Sequence, residues 1–161
     1  MADQPLLLPR LRDEIEELRG VAEQALWLLW MHSGDPAIDG ARAEGTALMR
    51  AGQLPGAIAI FSEIIRRKPA FAEGWNKRAT AYFLAGDFER SLADCDQVIQ
   101  RNPSHFGALS GYGQIYFQLE QFDKALEYWR RALRVNPNMN GVRTNIEGAE
   151  QLLREKRARS I

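Results

Sequence analysis

The chain has 161 residues, of which 45% are hydrophobic and 26% charged, so it can bury a core without disulfides or bound metals. Its 21 lysines and arginines balance 21 aspartates and glutamates, which argues against a nucleic-acid-binding or membrane-surface protein. The single cysteine, Cys95, cannot form an internal disulfide and favours a reducing compartment. We expect one soluble, intracellular, cytoplasmic domain, with the plastid stroma as the alternative if the chain is a processed or truncated form.

The N-terminal region, residues 1–37, predicts an amphipathic helix from about residue 10 to residue 32. Its apolar residues recur every three or four positions, at Leu11, Ile15, Leu18, Ala22, Leu26 and Leu29. We expect this helix to cap the exposed apolar face of the first repeat that follows it. A second interpretation is that Trp27 and Trp30 form a homodimer interface, because tryptophan is enriched in interface hot spots. A third is that the helix occupies the groove of the repeats.

The next region, residues 38–139, repeats itself with a period of 34 residues. Pro69, Pro103 and Pro137 stand near the ends of three successive units, 38–71, 72–105 and 106–139. A second helix-breaking zone lies about half a period before each proline, at Gly52 and Gly86 in the first two units. Each unit therefore predicts two helices joined by a tight turn, with the glycines as left-handed residues that end the first helix.

The three units resemble tetratricopeptide repeats in their order of large, small and aromatic positions. The second unit carries this pattern as Trp75, Ala79, Tyr82, Ser91, Cys95, Val98 and Pro103. The third unit carries it as Leu109, Gly113, Tyr116, Ala125, Trp129, Ala132 and Pro137. The first unit matches more loosely, with Ala41, Gly45, Leu48, Ala57, Phe61, Ile64 and Pro69. The run from Trp75 to Pro103 is also similar to small repeat proteins of bacteria and plastids.

This resemblance implies an all-α fold, an α-solenoid in which three helical hairpins form a right-handed superhelix. It also implies that the first helix of each unit lines a concave groove. The candidate partner-binding residues in that groove are Arg42, Thr46, Met49, Asn76, Lys77, Thr80, Phe83, Ser110, Gln114 and Phe117. We therefore expect a protein–protein interaction adaptor or scaffold, which binds a peptide or a helical segment of another protein in this groove.

One subset of the family clamps the C-terminal carboxylates of heat-shock chaperones with lysine, arginine and asparagine side chains. The matching positions here are Arg42, Thr46, Lys77, Gly107 and Gly111. Only Arg42 is a fair substitute, and both cations of the third unit are replaced by glycine, so the clamp is largely missing. Gly107 and Gly111 leave two interpretations open: close approach of a partner backbone, or accommodation of a neighbouring repeat.

The C-terminal region, residues 140–161, predicts a second capping helix that ends in a basic tail. Its apolar residues again recur every three or four positions, at Val142, Ile146, Ala149 and Leu153. Terminal repeats of a solenoid expose an apolar face that such flanking helices usually cover.

The sequence predicts no catalytic chemistry, no cofactor and no metal. His32 and His105 each stand apart from other metal-ligating side chains, and we expect His105 to lie in a solvated turn. Cys95 occupies an inward position of its repeat and is expected to be a buried apolar residue. Two expectations concern packing. The aromatic residues expected to be mostly buried are Trp75, Tyr82, Tyr116 and Trp129. Glu44 and Arg78, at equivalent positions of adjacent units, are expected to form an ion pair.

Overall fold

The computed structural model describes residues 3–160, and their regular secondary structure is helical. A short helix α1 (Gln4–Leu7) and a 3-10 helix (Leu8–Arg12) precede α2 (Glu16–Met31). The remaining helices are α3 (Pro36–Arg50), α4 (Leu54–Arg67), α5 (Ala72–Leu84), α6 (Phe88–Arg101), α7 (Phe106–Gln118), α8 (Phe122–Val135) and α9 (Asn140–Arg159). Helices α3 and α4, α5 and α6, and α7 and α8 form three stacked hairpins, which is the predicted solenoid. Within residues 3–160, none of these helices is long and apolar enough to cross a membrane.

The turn inside each hairpin has the same backbone geometry in all three units. Gly52 and Gly86 adopt φ angles of 75° and 77°, as their positions in the sequence predict. Glu120 occupies the equivalent place in the third unit with a φ of 55°, a backbone conformation that residues other than glycine and asparagine rarely adopt. Each turn is closed by a backbone N–H that donates to the carbonyl five residues earlier at 2.9 Å. The turn geometry is therefore set by the stacked hairpins and does not depend on glycine in the third unit.

Small residues allow the two helices of a hairpin to approach each other closely. An ideal Cβ on Gly45 would lie 2.6 Å from Cε1 of Phe61, and one on Gly113 would lie 2.3 Å from Cδ1 of Trp129. Both distances are shorter than a side-chain contact permits. The large aromatic rings of α4 and α8 therefore fill the space that these glycines leave.

The expected pair between Glu44 and Arg78 is wrong. Arg78 binds Asp94 of α6 with two hydrogen bonds, at 2.7 and 2.8 Å, and donates a third to Ser62 Oγ at 3.0 Å. Glu44 is exposed. The hydrogen bond to Asp94 raises the pKa of Arg78, although burial acts in the opposite direction. Asp94 is the better partner because it lies on the helix that is antiparallel to α5 within the same hairpin, and its side chain is only 5% exposed.

Of the four aromatic residues expected in the core, Trp129 is buried, with 1% of its surface exposed. Trp75, Tyr82 and Tyr116 keep only a minor part of their surface exposed, so they too are mostly buried, as predicted. Their exposed faces carry cations: Arg101 lies 4.7 Å from the ring centre of Trp75. Such cation–π contacts add a small stabilisation at the edge of the core.

The C-terminal helix α9 packs on the third hairpin. Val142 and Ala149 are buried in one apolar cluster with Ala125, Leu126 and Trp129 of α8. Ile146 and Leu153 pack against the same cluster, so all four residues of the predicted stripe contribute to it.

The N-terminal segment follows a different course from the one predicted. The chain breaks after the 3-10 helix, where the side chain of Asp13 accepts a hydrogen bond from the Ile15 N–H at 3.1 Å, and α2 begins only at Glu16. As a result Ile15 and Leu18 of the predicted stripe are exposed, at 53% and 44%. We refer to residues 4–31 as the N-terminal arm.

Candidate functional site

A cavity of about 140 Å³ opens on the concave face between α5 and α7. We call it the groove cavity, and its lining residues are Asn76, Ala79, Thr80, Phe83, Ser91, Cys95, Gly107, Ala108, Gly111, Gln114 and Ile115. Ala79, Cys95 and Ile115 are buried and apolar, whereas the amides of Asn76 and Gln114 are partly exposed. The lining contains no charged side chain. This combination suits one apolar side chain of a ligand together with hydrogen bonds to its backbone.

Four of the predicted partner-binding residues line the groove cavity together: Asn76, Thr80, Phe83 and Gln114. Lys77, one position from Asn76, lines an adjoining cavity of about 550 Å³ between α5 and α2. The other five predicted residues lie outside both cavities, and they are Arg42, Thr46, Met49, Ser110 and Phe117.

Three of those five residues are engaged in the structure of their own hairpins. Met49 packs against the core of the first hairpin, and Phe117 packs against Phe122 and Trp129 of α8. Thr46 donates its hydroxyl to the Arg42 carbonyl at 2.8 Å. Arg42 itself keeps a buried Nε without a hydrogen-bond partner. The repeat register could not separate these residues from those of the groove cavity, because Phe83 packs on Phe88 as Phe117 packs on Phe122, yet only Phe83 lines the cavity.

Cys95 lies at the floor of the groove cavity and is 3% exposed. Burial raises the pKa of its thiol to about 12, with a smaller contribution from the charges of Asp94 and Asp96. An un-ionised thiol is a weak nucleophile, so Cys95 is the apolar core residue that the sequence predicts.

The N-terminal arm covers one end of the concave groove. The indole ring of Trp27, in the arm, packs against the first turn of α7. A Cβ atom added to Gly107 in that turn would lie only 2.6 Å from Trp27 Cη2. At Gly111, one turn further along, the nearest atom to an ideal Cβ is Cys95 Sγ at 3.8 Å, an ordinary contact. The two glycines therefore differ: Gly107 accommodates Trp27 of the arm, whereas Gly111 leaves the groove cavity open.

The second indole of the arm, Trp30, is buried and stacks on His105 with ring centres 4.5 Å apart. The expectation of a solvated His105 is wrong, because this residue is fully buried beneath the arm. Its Nδ1 accepts a hydrogen bond from the Ala108 N–H at 3.0 Å, and so caps α7. Its Nε2 lies 3.4 Å from Oε2 of Glu73, which is also buried. No signal in the sequence pointed to this role, because histidine is not among the residues that usually cap a helix.

The arm is held along the turns that join successive hairpins. One contact is to the turn between α6 and α7, residues 102–105: Gln4 donates a hydrogen bond to Asn102 Oδ1 at 3.2 Å. Gln4 also accepts a hydrogen bond from Trp30 Nε1 at 2.8 Å, which joins the two parts of the arm. A second contact is to the turn between α8 and α9, residues 136–139, where the Asn138 side chain donates a hydrogen bond to the Leu11 carbonyl at 2.8 Å. The expectation that the N-terminal helix caps the first repeat is therefore wrong, since the arm packs on the turns next to the second and third. The proposed homodimer surface is also wrong at Trp30, whose side chain is 4% exposed, while Trp27 is partly exposed.

Among residues 3–160, no group of three or more histidine, cysteine, aspartate or glutamate side chains is placed to hold a metal ion. His32 instead contacts Asp39 at 3.3 Å, and the Ser33 N–H donates to the same carboxylate at 2.9 Å. Burial acts to raise the pKa of Asp39, but the hydrogen bonds from Ser33 and His32 outweigh it and lower that pKa. These contacts fix the junction between the arm and α3.

Comparison with known sequences agrees with the architecture. A family model described as tetratricopeptide repeat matches residues 42–106, and a second with the same description matches residues 108–139. The two matches together span more than half of the chain. No curated protein sequence matches it.

Solved structures show the same fold. The tetratricopeptide-repeat domain of Sgt2 from Aspergillus fumigatus is 21% identical, with a TM-score of 0.73 over 77% of this chain and 83% of that domain. The first such domain of Spaghetti (RPAP3), solved with the HSP90 peptide SRMEEVD, is 23% identical, with a TM-score of 0.69 over 72% and 92%. The TPR2B domain of yeast Sti1, solved in a pHsp70 complex, is 25% identical, with a TM-score of 0.67 over 71% and 97%.

Proposed function

Because the chain belongs to the tetratricopeptide-repeat family, a family of protein-interaction folds, we propose that it is an adaptor that binds a segment of another protein in its concave groove. The observation that supports this most directly is the groove cavity. Its apolar floor, its amide rim and the missing Cβ at Gly111 suit one bulky apolar side chain of a partner and the backbone beside it.

The chaperone-peptide ligands of some structural neighbours do not fit this groove. Two neighbours were solved with peptides that end in the sequence EEVD. Here two of the matching clamp positions are glycines, and Trp27 stands over one of them, Gly107. An acidic chain terminus would therefore meet an indole where a cation is needed to bind its carboxylates.

The proposal is tested by selecting peptide ligands for the full chain from a random displayed library and titrating the selected peptides by calorimetry. We expect Phe83→Ala to weaken binding about thirtyfold, which corresponds to a hot-spot loss of about 2 kcal/mol. Gly111→Leu, which fills the groove cavity, should abolish binding. The peptide SRMEEVD serves as a ligand control and should not bind.

A matched control is Gly148→Leu, because Gly148 is an exposed glycine of α9 with no atom near its Cβ position. This variant should bind the selected peptides like the original protein. If peptides are selected but bind equally well to Gly111→Leu and Phe83→Ala, the ligand site lies elsewhere and the proposal is wrong.

A further inference from the structure

Buried polar atoms without partners are concentrated beneath the N-terminal arm. Five buried side-chain nitrogen and oxygen atoms of the described residues lack a hydrogen-bond partner. Four of them belong to residues under the arm or in the two turns that it contacts: Glu73, Asn102, His105 and Asn136. Two of the four have only long contacts: His105 Nε2 lies 3.4 Å from Glu73 Oε2, and Lys77 Nζ lies 3.7 Å from Glu73 Oε1. The Nδ2 atoms of Asn102 and Asn136 have no hydrogen-bond partner. Water would complete these hydrogen bonds once the arm leaves.

The arm also leaves much apolar surface outside the core. Val21 and Leu28 of α2 are 62% and 60% exposed, and Ile15 is 53% exposed. Its apolar contact with the hairpins is one cluster, in which Leu11, Ala22, Leu26 and Trp30 of the arm surround Phe106 of α7. A segment held in this way is a candidate for local opening, because its release costs less than unfolding the hairpins.

We propose that the N-terminal arm is a reversible cover over one end of the concave groove. It undocks as a unit while the three hairpins and α9 stay folded, and its departure uncovers Gly107 and the adjoining wall of α5 near Lys77. This goes beyond partner binding in the groove cavity, since it assigns to the protein a second state in which the end of the groove that the arm covers is open.

The key contact is Trp27 against Gly107. The indole is held edge-on by Trp30, His105 and Phe106, with ring centres 5.4, 5.7 and 5.3 Å away. An added Cβ at Gly107 would meet this ring at 2.6 Å and also His105 Cε1 at 3.2 Å, so it would crowd two of the rings in the contact. A methyl group at Gly107 should push the arm off its site.

Native-state hydrogen exchange of the full chain tests the proposal without any partner, so its result is separate from that on groove binding. In the original protein, the amides of α2 should exchange on the order of a hundredfold faster than those of α7 and α8. Gly107→Ala should speed exchange in α2 by about tenfold and leave α8 and α9 unchanged.

The matched control is Gly111→Ala, the same change one turn further along the same helix, where the new Cβ meets only an ordinary contact. It should leave exchange in α2 unchanged. A second variant, Gln4→Ala, removes the two hydrogen bonds that join α1 to Trp30 and Asn102, and it should also speed exchange in α2. If α2 exchanges only at the rate of α7 and α8 in the original protein, the arm is an integral part of the repeat core and the proposal is overturned.

Discussion

The two flanking regions of the chain contact the repeats in opposite ways. Helix α9 begins at Asn140, 34 residues after the start of α7 at Phe106, so it occupies the place of the first helix of a fourth unit. Its ion pairs with the hairpin, such as the 2.6 Å contact from Arg130 to Glu150, lie outside the apolar cluster. The N-terminal arm instead crosses the turns between hairpins and buries Glu73 and His105 under its indoles.

This difference shows that a flanking helix in register with the repeats shares their core, whereas one outside the register creates an interface of its own. In the first case the packing surface is already shaped by the preceding unit. In the second case, a polar turn residue is buried at the interface: Asn102, which is 1% exposed, accepts a hydrogen bond from Gln4 of the arm. An unpaired buried polar group costs about 1–3 kcal/mol, so the second interface is the weaker one for the apolar area it buries.

The largest difference between the α9 interface and the N-terminal arm is expected in the free energy of unfolding, when one tryptophan in each is replaced by alanine. Trp129→Ala should lower the free energy of unfolding of the hairpins by about 3–5 kcal/mol, because Trp129 lies at the centre of the cluster shared with α9. Trp30→Ala should leave the main unfolding transition almost unchanged, because the arm has already undocked at the denaturant concentration where the hairpins unfold. Urea unfolding followed by circular dichroism measures both.

The rate at which Cys95 reacts with a thiol reagent is a second, independent way to compare the variants Trp129→Ala and Trp30→Ala. Cys95 is buried between α5 and α7 and becomes reactive only when the hairpins open. Trp129→Ala should therefore speed the reaction, whereas Trp30→Ala should not. Equal acceleration in the two variants would show that arm and hairpins open together.

The sequence predicted the hairpins well because each repeat constrains the next one. The 34-residue spacing fixed the turns at Gly52 and Gly86, and the apolar stripe from Val142 to Leu153 predicted how α9 packs. The course of the arm could not be predicted in this way. The apolar stripe through Leu11 and Leu26 showed that one face is buried, but a stripe does not say which surface covers it.

The functional site was predicted in part, for the same reason. Asn76, Thr80, Phe83 and Gln114 meet in one cavity because equivalent positions of adjacent repeats are neighbours. The role of Gly107 depends on Trp27, which lies 80 residues earlier and outside the repeat, so no spacing rule connects the two. His105 was misjudged because the arm that buries it was placed on the wrong repeat.

A smaller effect is expected from the Arg78–Asp94 ion pair inside the second hairpin. Because this pair lies away from the arm, its removal should destabilise the hairpins and leave the arm as it is. Asp94→Ala should cost about 2–3 kcal/mol, somewhat below the value for a fully buried pair because the Arg78 side chain is 18% exposed. A double-mutant cycle with Arg78→Met should show a coupling of about 1–2 kcal/mol. Glu44→Gln combined with Arg78→Met should be additive, and hydrogen exchange in α2 should be unchanged throughout. A coupling between Glu44 and Arg78 as large as that with Asp94 would contradict the observed pairing.

The smallest effect comes from a pair of glycines that differ only in which flanking helix contains them. Gly20 of α2 and Gly148 of α9 are both exposed, and no atom lies within 4 Å of an added Cβ at either position. Alanine is favoured over glycine in a helix interior by about 0.8–1 kcal/mol, so both substitutions should stabilise their own helix by similar amounts.

The two substitutions should nevertheless register in different measurements. Gly148→Ala should raise the free energy of unfolding of the hairpins, because α9 unfolds with them. Gly20→Ala should slow exchange in α2 about fourfold, the equivalent of 0.8 kcal/mol, and leave the main unfolding midpoint unchanged. The arm has undocked before the hairpins unfold, so added helix stability in α2 cannot shift their transition. If Gly20→Ala raised the midpoint as much as Gly148→Ala, the two flanking helices would belong to one cooperative unit and the contrast between them would be lost.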